Sequence, residues 1–156
     1  MNIKISPGEK HFTASVCIVT KEEPKRMVLV HHRKFNKWQQ PGGHVEPFEN
    51  PVETAVRETK EETGIDISFI LNNIEAIDPM TGSLPLPRFF LEETIPAIGE
   101  EPGHYHLDHI YLVEVPYQII KHQESEAHGI GWFTIEEAMK LPMHENGRII
   151  FNKLLT

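Results

Sequence analysis

The stretch from Gly43 to Ile65, GHVEPFENPVETAVRETKEETGI, constrains this chain more than any other. Asn50 suits a helix N-cap, Pro51 suits the first helical position, where its missing N–H leaves nothing unpaired, and Glu53 stands where a capping-box acid belongs. Gly64 supplies the left-handed residue that ends many helices, and Ile65 can fold back on the last turn. The sequence therefore predicts a helix over Pro51–Thr63. Winding at 3.6 residues per turn puts Val52, Ala55, Val56 and Thr59 on one stripe, a face to bury against a sheet. Glu58 and Glu62 emerge together beside that stripe. Glu61 is three residues from Glu58, and Arg57 is four residues before Glu61 and can pair with it. Like charges at this spacing oppose the helix by roughly a few tenths of a kcal/mol each. A divalent cation among them reverses that sign, since hard cations such as Mg2+ are held by one or two carboxylates together with substrate phosphates.

Most glutamate runs are solvated helix faces, so the spacing decides. Gly43, Glu49, Arg57, Glu58, Glu61, Glu62 and Gly64 satisfy G-x5-E-x7-R-E-x-x-E-E-x-G at every fixed position. Background residue frequencies produce that pattern on the order of once in a million such chains. It is the signature of the Nudix hydrolases, which this sequence resembles. The resemblance implies an α/β fold, an α/β/α sandwich around a mixed β-sheet; strands before and after a central helix, with a second helix near the end, indicate by themselves only α+β or α/β. It also implies hydrolysis of a diphosphate linkage in a nucleoside diphosphate derivative or related nucleotide, with Mg2+ (or Mn2+) as cofactor. By the same resemblance Glu58 and Glu62 are the principal metal ligands, Glu61 is a ligand or the base acting through a bound water, and the carbonyl of Gly42 is a further ligand. Arg57 would orient the carboxylates and Glu49 complete the network. Thr59 departs from the family, which usually carries an aliphatic residue there, and touches no proposed ligand.

The chain has 156 residues, 39% hydrophobic and 24% charged, enough for one globular domain over 1–156 with a sizeable core. A net charge of −8 argues against binding nucleic-acid polymers, whose affinity comes from Lys and Arg neutralising phosphates, but not against a small nucleotide arriving with a metal. No basic and apolar leader and no run of eighteen apolar residues is seen, so the expectation is a cytoplasmic protein that does not enter a membrane, acting as a monomer or homodimer. Cys17 lies in an apolar, strand-like run and reads as a buried, inert thiol.

In chain order, Phe12–Thr20 and Met27–His31 read as a hairpin across a charged turn. The basic cluster that follows offers Arg33 as a phosphate contact, because a guanidinium binds phosphate bidentately. Trp38 is a candidate to stack on a base or to close the core beside the turn. Ile65–Leu71 reads as a strand, Asn72–Gly82 as mostly loop, and Arg88–Ile95 as another strand. His104–Val115 is a long strand whose alternation puts His104, His106 and Asp108 on one face. Two histidines and an aspartate at period two can bind a transition metal, hydrogen-bond phosphate or line a polar cleft. Glu124 and Glu126 are candidates for a further metal-binding acid on a loop. His128–Phe133 is a last strand, Thr134 caps a helix that Pro142 closes, and Gly147–Leu155 suits a terminal helix. Two alternatives to hydrolysis stand beside it: a catalytically silent nucleotide-binding or sensor module, which predicts eroded box glutamates, and a transition-metal protein using His104, His106 and Asp108.

Overall fold

The computed structural model describes residues 4–121 and 127–156; Glu124 and Glu126 lie outside them. The helix of the box forms as its caps require. α1 spans Pro51–Thr63: Asn50 Oδ1 accepts from the Glu53 N–H at 2.9 Å, and Glu53 Oε1 accepts from the Asn50 N–H at 2.9 Å. Gly64, at φ 76°, ends the helix with its N–H donating to the Lys60 carbonyl. Val52, Ala55 and Thr59 are fully buried and Val56 packs beside them, so the predicted stripe is the face that meets the sheet.

Among the described residues that sheet has seven strands: β1 (Lys10–Thr20), β2 (Met27–His32), β3 (Lys37–Gln39), β4 (Gly42–His44), β7 (Phe89–Ile95), β8 (His104–Val115) and β9 (Ala127–Phe133). Its main path runs β3-β2-β1-β8-β7, with β4 on β1 and β9 on β2. β1 and β8 are parallel over eleven residues, from Lys10 opposite Tyr105 to Thr20 opposite Val115, and the other pairs are antiparallel. A separate hairpin joins β5 (Glu75–Asp78) and β6 (Thr81–Ser83). α2 (Ile135–Ala138), capped by Thr134, and α3 (Glu145–Leu155) follow β9.

The sheet is apolar on both faces. Ala14, Val16, Ile18, Tyr111 and Val113 pack towards α1 with Ile65 and Ile67. Cys17, Val19, Leu29 and Ile110 pack on the other side against Ala138, Met143, Ile150 and Phe151. This is the α/β/α sandwich with a mixed sheet that the box implies. Cys17 is 1% exposed and burial pushes its thiol up to about 12, which keeps it protonated and inert.

Three readings of local structure need correction. Ile65–Leu71 is not a strand: Ile65 and Ile67 are buried in irregular backbone, and a 3-10 helix then covers Ser68–Asn73. Asn72–Gly82, read as loop, contains β5 and most of β6, an exposed hairpin with no apolar alternation to announce it. The helix after Thr134 is one turn and stops at Ala138, short of Pro142. Among the described residues, no helix is long and apolar enough to cross a membrane.

Candidate active site

Arg57 organises one corner of the molecule. Its Nε and Nη2 donate to Glu49 Oε2 and Oε1 at 2.7 and 2.9 Å, a bidentate fork. Nη1 donates to Glu58 Oε1 at 2.9 Å and to Glu61 Oε2 at 3.3 Å, and Nη2 also reaches the carbonyl oxygen of His44 at 3.3 Å. Glu49 is held further by the Thr54 hydroxyl, 3.0 Å away. These bonds keep the Glu49 carboxyl below the usual carboxylate range, the Arg57 fork being the main cause, and hold the guanidinium fully charged.

Glu58 is the buried member, with 12% of its side chain exposed. Burial raises its carboxyl above the usual range and the nearby Glu61 adds to the rise, against the opposing pull of Glu62 and Arg57. Its place is possible only because residue 43 lacks a side chain: a Cβ on Gly43 would stand 2.3 Å from Glu58 Oε1. Gly42 is equally confined, its would-be Cβ 2.5 Å from the Ala14 carbonyl, and its N–H donates to Glu62 Oε1 at 3.2 Å. The double glycine thus lets β4 lie between β1 and two box carboxylates. Glu61 is 47% exposed.

Gly42, Gly43 and His44 also border a cleft of about 1030 Å3 on the α3 side of the sheet. Trp38, Phe35 and Phe90 give it aromatic walls, and Lys34, Asp108, Glu93 and Asn146 give it polar ones. Asp108 is buried and accepts from Thr13 Oγ1 and Ser15 Oγ at 3.0 and 2.9 Å; burial nonetheless raises its carboxyl. Glu93, bonded to the Asn146 amide at 3.0 Å, is pushed up to about 7 by burial and by Asp108.

The structure brings Glu49, Arg57, Glu58, Glu61 and Glu62 together with Gly42 and leaves other sequence candidates apart. Arg33 sits exposed in the turn between β2 and β3, and the cleft wall takes His32 and Lys34 on either side of it instead. Trp38 does reach the cleft, but one ring face stacks on His31 at 5.0 Å and its edge meets Phe133. His104 and His106 meet, Nε2 to Nε2 at 3.2 Å, whereas Asp108 spends both oxygens on the Thr13 and Ser15 hydroxyls. Among the described residues, no three His, Cys, Asp or Glu side chains converge as a ready-made metal cage, the box glutamates included. Sequence reasoning missed Glu93 and Asn146, which carry no motif and reach the cleft only through folding, and preferred Arg33 to Lys34 within the basic cluster.

A model of the NUDIX domain matches residues 10–154. The chain belongs to that family. Among relatives, the asymmetrical bis(5'-nucleosyl)-tetraphosphatase of Rattus norvegicus is 52% identical over 42 residues, 27% of this chain and 25% of that protein. A CMP-5'-(N-acetyl-N-hydroxy-3-aminopropyl)phosphonate hydrolase of Streptomyces rubellomurinus is 28% identical over 141 residues, 85% of this chain and 58% of that protein. The chain thus spans about a quarter and under two thirds of the length of these two Nudix relatives. The crystal structure of a NUDIX-family hydrolase from Clostridium perfringens shares the fold, with a TM-score of 0.69 at 23% identity, covering 93% of this chain and 95% of that one.

Proposed function

We propose that the protein is a divalent-metal-dependent pyrophosphohydrolase, one catalytic unit that cleaves a diphosphate linkage in a nucleotide derivative. The observation that carries this reading is the Arg57 fork, which gathers Glu49, Glu58 and Glu61 behind β4, the strand whose Gly42, Gly43 and His44 line the aromatic cleft. The donor set fits Mg2+ or Mn2+: oxygen ligands only, with a buried Glu58 whose charge is disfavoured until a cation neutralises it. Glu58, Glu62 and Glu61 would hold the ion with the Gly42 carbonyl. When bound, such an ion polarises a phosphoryl oxygen and acidifies a water.

The rest is done by the chain. Arg57 fixes the direction of three carboxylates at once, so none has to be ordered at the moment of reaction. Glu49 and Thr54 lock Arg57 in turn. Glu61, the most exposed acid and held by one contact of 3.3 Å, is the member able to turn towards a water and accept its proton. Gly42 and Gly43 let β4 close on Ser15 on one side and on the Glu58 carboxylate on the other. Trp38, Phe35 and Phe90 supply the walls for a base or other ring. The two relatives' names specify a dinucleoside tetraphosphate and a cytidylyl phosphonate, and both support a nucleotide with a further group beyond the phosphates.

The test is a panel of nucleoside di- and triphosphates, sugar nucleotides, dinucleoside polyphosphates and oxidised nucleotides. It is assayed with Mg2+ or Mn2+ on the wild type, Glu58→Gln and Glu62→Gln. Turnover on one class, lost in both variants, is expected. Turnover unchanged in both overturns the reading, and tight binding without turnover points to a silent module.

A further inference from the structure

Four imidazoles from three strands meet beyond the box: His11 on β1, His44 on β4, and His104 and His106 on β8. Around the cycle His11, His44, His106, His104 the ring centres are 5.3, 5.1, 5.0 and 5.6 Å apart. A first-row cation about 2.1 Å from a ring nitrogen lies on the order of 3 Å from the ring centre, so imidazoles sharing one cation stand about 5 Å apart. Each neighbouring pair around the cycle stands at the spacing of two ligands to one cation.

The nitrogens agree with the spacing. His104 Nδ1 lies 2.9 Å from the Pro102 carbonyl oxygen, to which it can only donate, so its Nε2 carries a lone pair. That Nε2 is hydrogen-bonded to His106 Nε2 at 3.2 Å, a separation that two nitrogens on one tetrahedral metal would also show. Nε2 of His11 and Nε2 of His44 are buried and without a hydrogen-bond partner. Glu9 Oε1 lies 3.2 Å from His11 Nε2, an ion-pair contact that a cation would have to displace, so of the two the nitrogen of His44 is the one with nothing opposite it among the described residues. Unpartnered buried nitrogens are uncommon in folded proteins and call for a ligand or a strain that repays them. His11 and His104 are 8% and 2% exposed, whereas His44 is half-buried at the cleft. Burial, reinforced by the neighbouring rings, takes His44 down to about 4 and His106 to about 3, so at neutral pH they present the uncharged form that a metal needs. Carboxylates of Glu9 and Glu101 flank the group, the latter 3.8 Å from His104 Nε2 and ion-paired with Lys34, to offset a dication.

We propose that His11, His44, His104 and His106 bind one Zn2+ or a similar imidazole-preferring divalent cation, at a second site distinct from the acidic box. The set is drawn together on binding rather than preassembled: His104 and His106 already stand at ligand spacing, His44 swings its idle nitrogen in, and His11 exchanges Glu9 for the cation. Asp108, tied to two hydroxyls, is not a ligand. The cation joins β1, β4 and β8 at the floor of the cleft, which His44, His104 and His106 line.

Tag-free protein prepared without chelators and dialysed into metal-free buffer is analysed by elemental mass spectrometry, then titrated with Zn2+ and Co2+ in excess Mg2+. One Zn2+ per chain, an intense visible Co2+ spectrum of a four-coordinate site and a rise of several degrees in Tm are expected. His11→Gln and His106→Gln each weaken Co2+ binding by roughly tenfold or more, whereas Glu58→Gln with Glu62→Gln leaves the spectrum intact. Zinc-edge X-ray absorption of the wild type, which needs no variant to fold, should show imidazole scattering from several ligands. An oxygen-only shell, no retained Zn2+ or Co2+, or a spectrum lost with the glutamates and kept without the histidines would overturn the site.

Discussion

The acidic corner and the histidine corner share β4 and are built on opposite principles. Around Arg57 every anchor is charged and satisfied: two bonds to Glu49, one each to Glu58 and Glu61, one to the His44 carbonyl. Around His104 burial holds the His44 and His106 rings below the usual imidazole range, and His44 Nε2 has no hydrogen-bond partner. A guanidinium can stand in for the missing counter-charge among carboxylates, so the first corner is ordered without its cation. Among the described residues no cation or donor is set opposite His44 Nε2.

The largest break in the comparison is at Glu58. Glu58→Gln removes a ligand from the charged corner and should lower turnover on the order of 10^3-fold, several kcal/mol of transition-state stabilisation, with the histidine corner's Co2+ spectrum untouched. Kinetics with saturating Mg2+ measure it, and a loss under tenfold would remove Glu58 from the ligand set. Gly43→Ala attacks the same carboxylate sterically, since the new Cβ meets Glu58 Oε1 at 2.3 Å. A drop of about 10- to 100-fold in apparent Mg2+ affinity is expected, larger than the change in kcat at saturating metal. Arg57→Lys keeps the charge and loses the fork; a fall of similar size in kcat/KM, with a Tm decrease from the loosened Glu49, separates geometry from charge.

Smaller effects sharpen the contrast. Thr59 is fully buried under α1 and its hydroxyl has no partner, so Thr59→Val should stabilise the fold by about 1–2 kcal/mol in chemical denaturation. Destabilisation would show that the hydroxyl is satisfied. On the neutral side, burial and Asp108 hold the Glu93 carboxyl at about 7, above its ordinary 4.5. The folded state therefore binds the extra proton between those values. The stability tied to it is complete below 4.5 and is lost as pH rises through 7. Tm measured against pH should fall less steeply over that window in Glu93→Gln than in the wild type.

What was legible in the sequence was local. The caps at Asn50, Glu53 and Gly64 and the stripe of α1 involve residues within a few positions of one another, and the helix came out residue for residue. The alternation in His104–Val115 likewise marked a strand with the right ends and put His104, His106 and Asp108 on one face. What was not legible depends on partners far along the chain. β3 and β4 are three residues each and exist because β2 and β1 offer them edges. The parallel register of β1 on β8 sets His11 opposite His106, and no periodicity in either strand announces it. Arg33 was favoured over Lys34 on chemistry, and the turn decided for Lys34 by direction alone. Asp108 looked like a third ligand because it shares a face with the histidines, but Thr13 and Ser15 on the adjacent strand claim it first.

The three residues of β4 have a consequence for anyone redesigning this protein. Gly43 makes room for an acid of one corner, and the next residue, His44, gives its carbonyl to Arg57 and its ring to the other. Shifting this short strand by one position would either drive the His44 ring into the space beside Glu58 with Val45 in its place, or leave Gly43 where the ring belongs. Diversification of the cleft is therefore best confined to the β2–β3 turn and the face of α3, where a change at one end leaves the other in register.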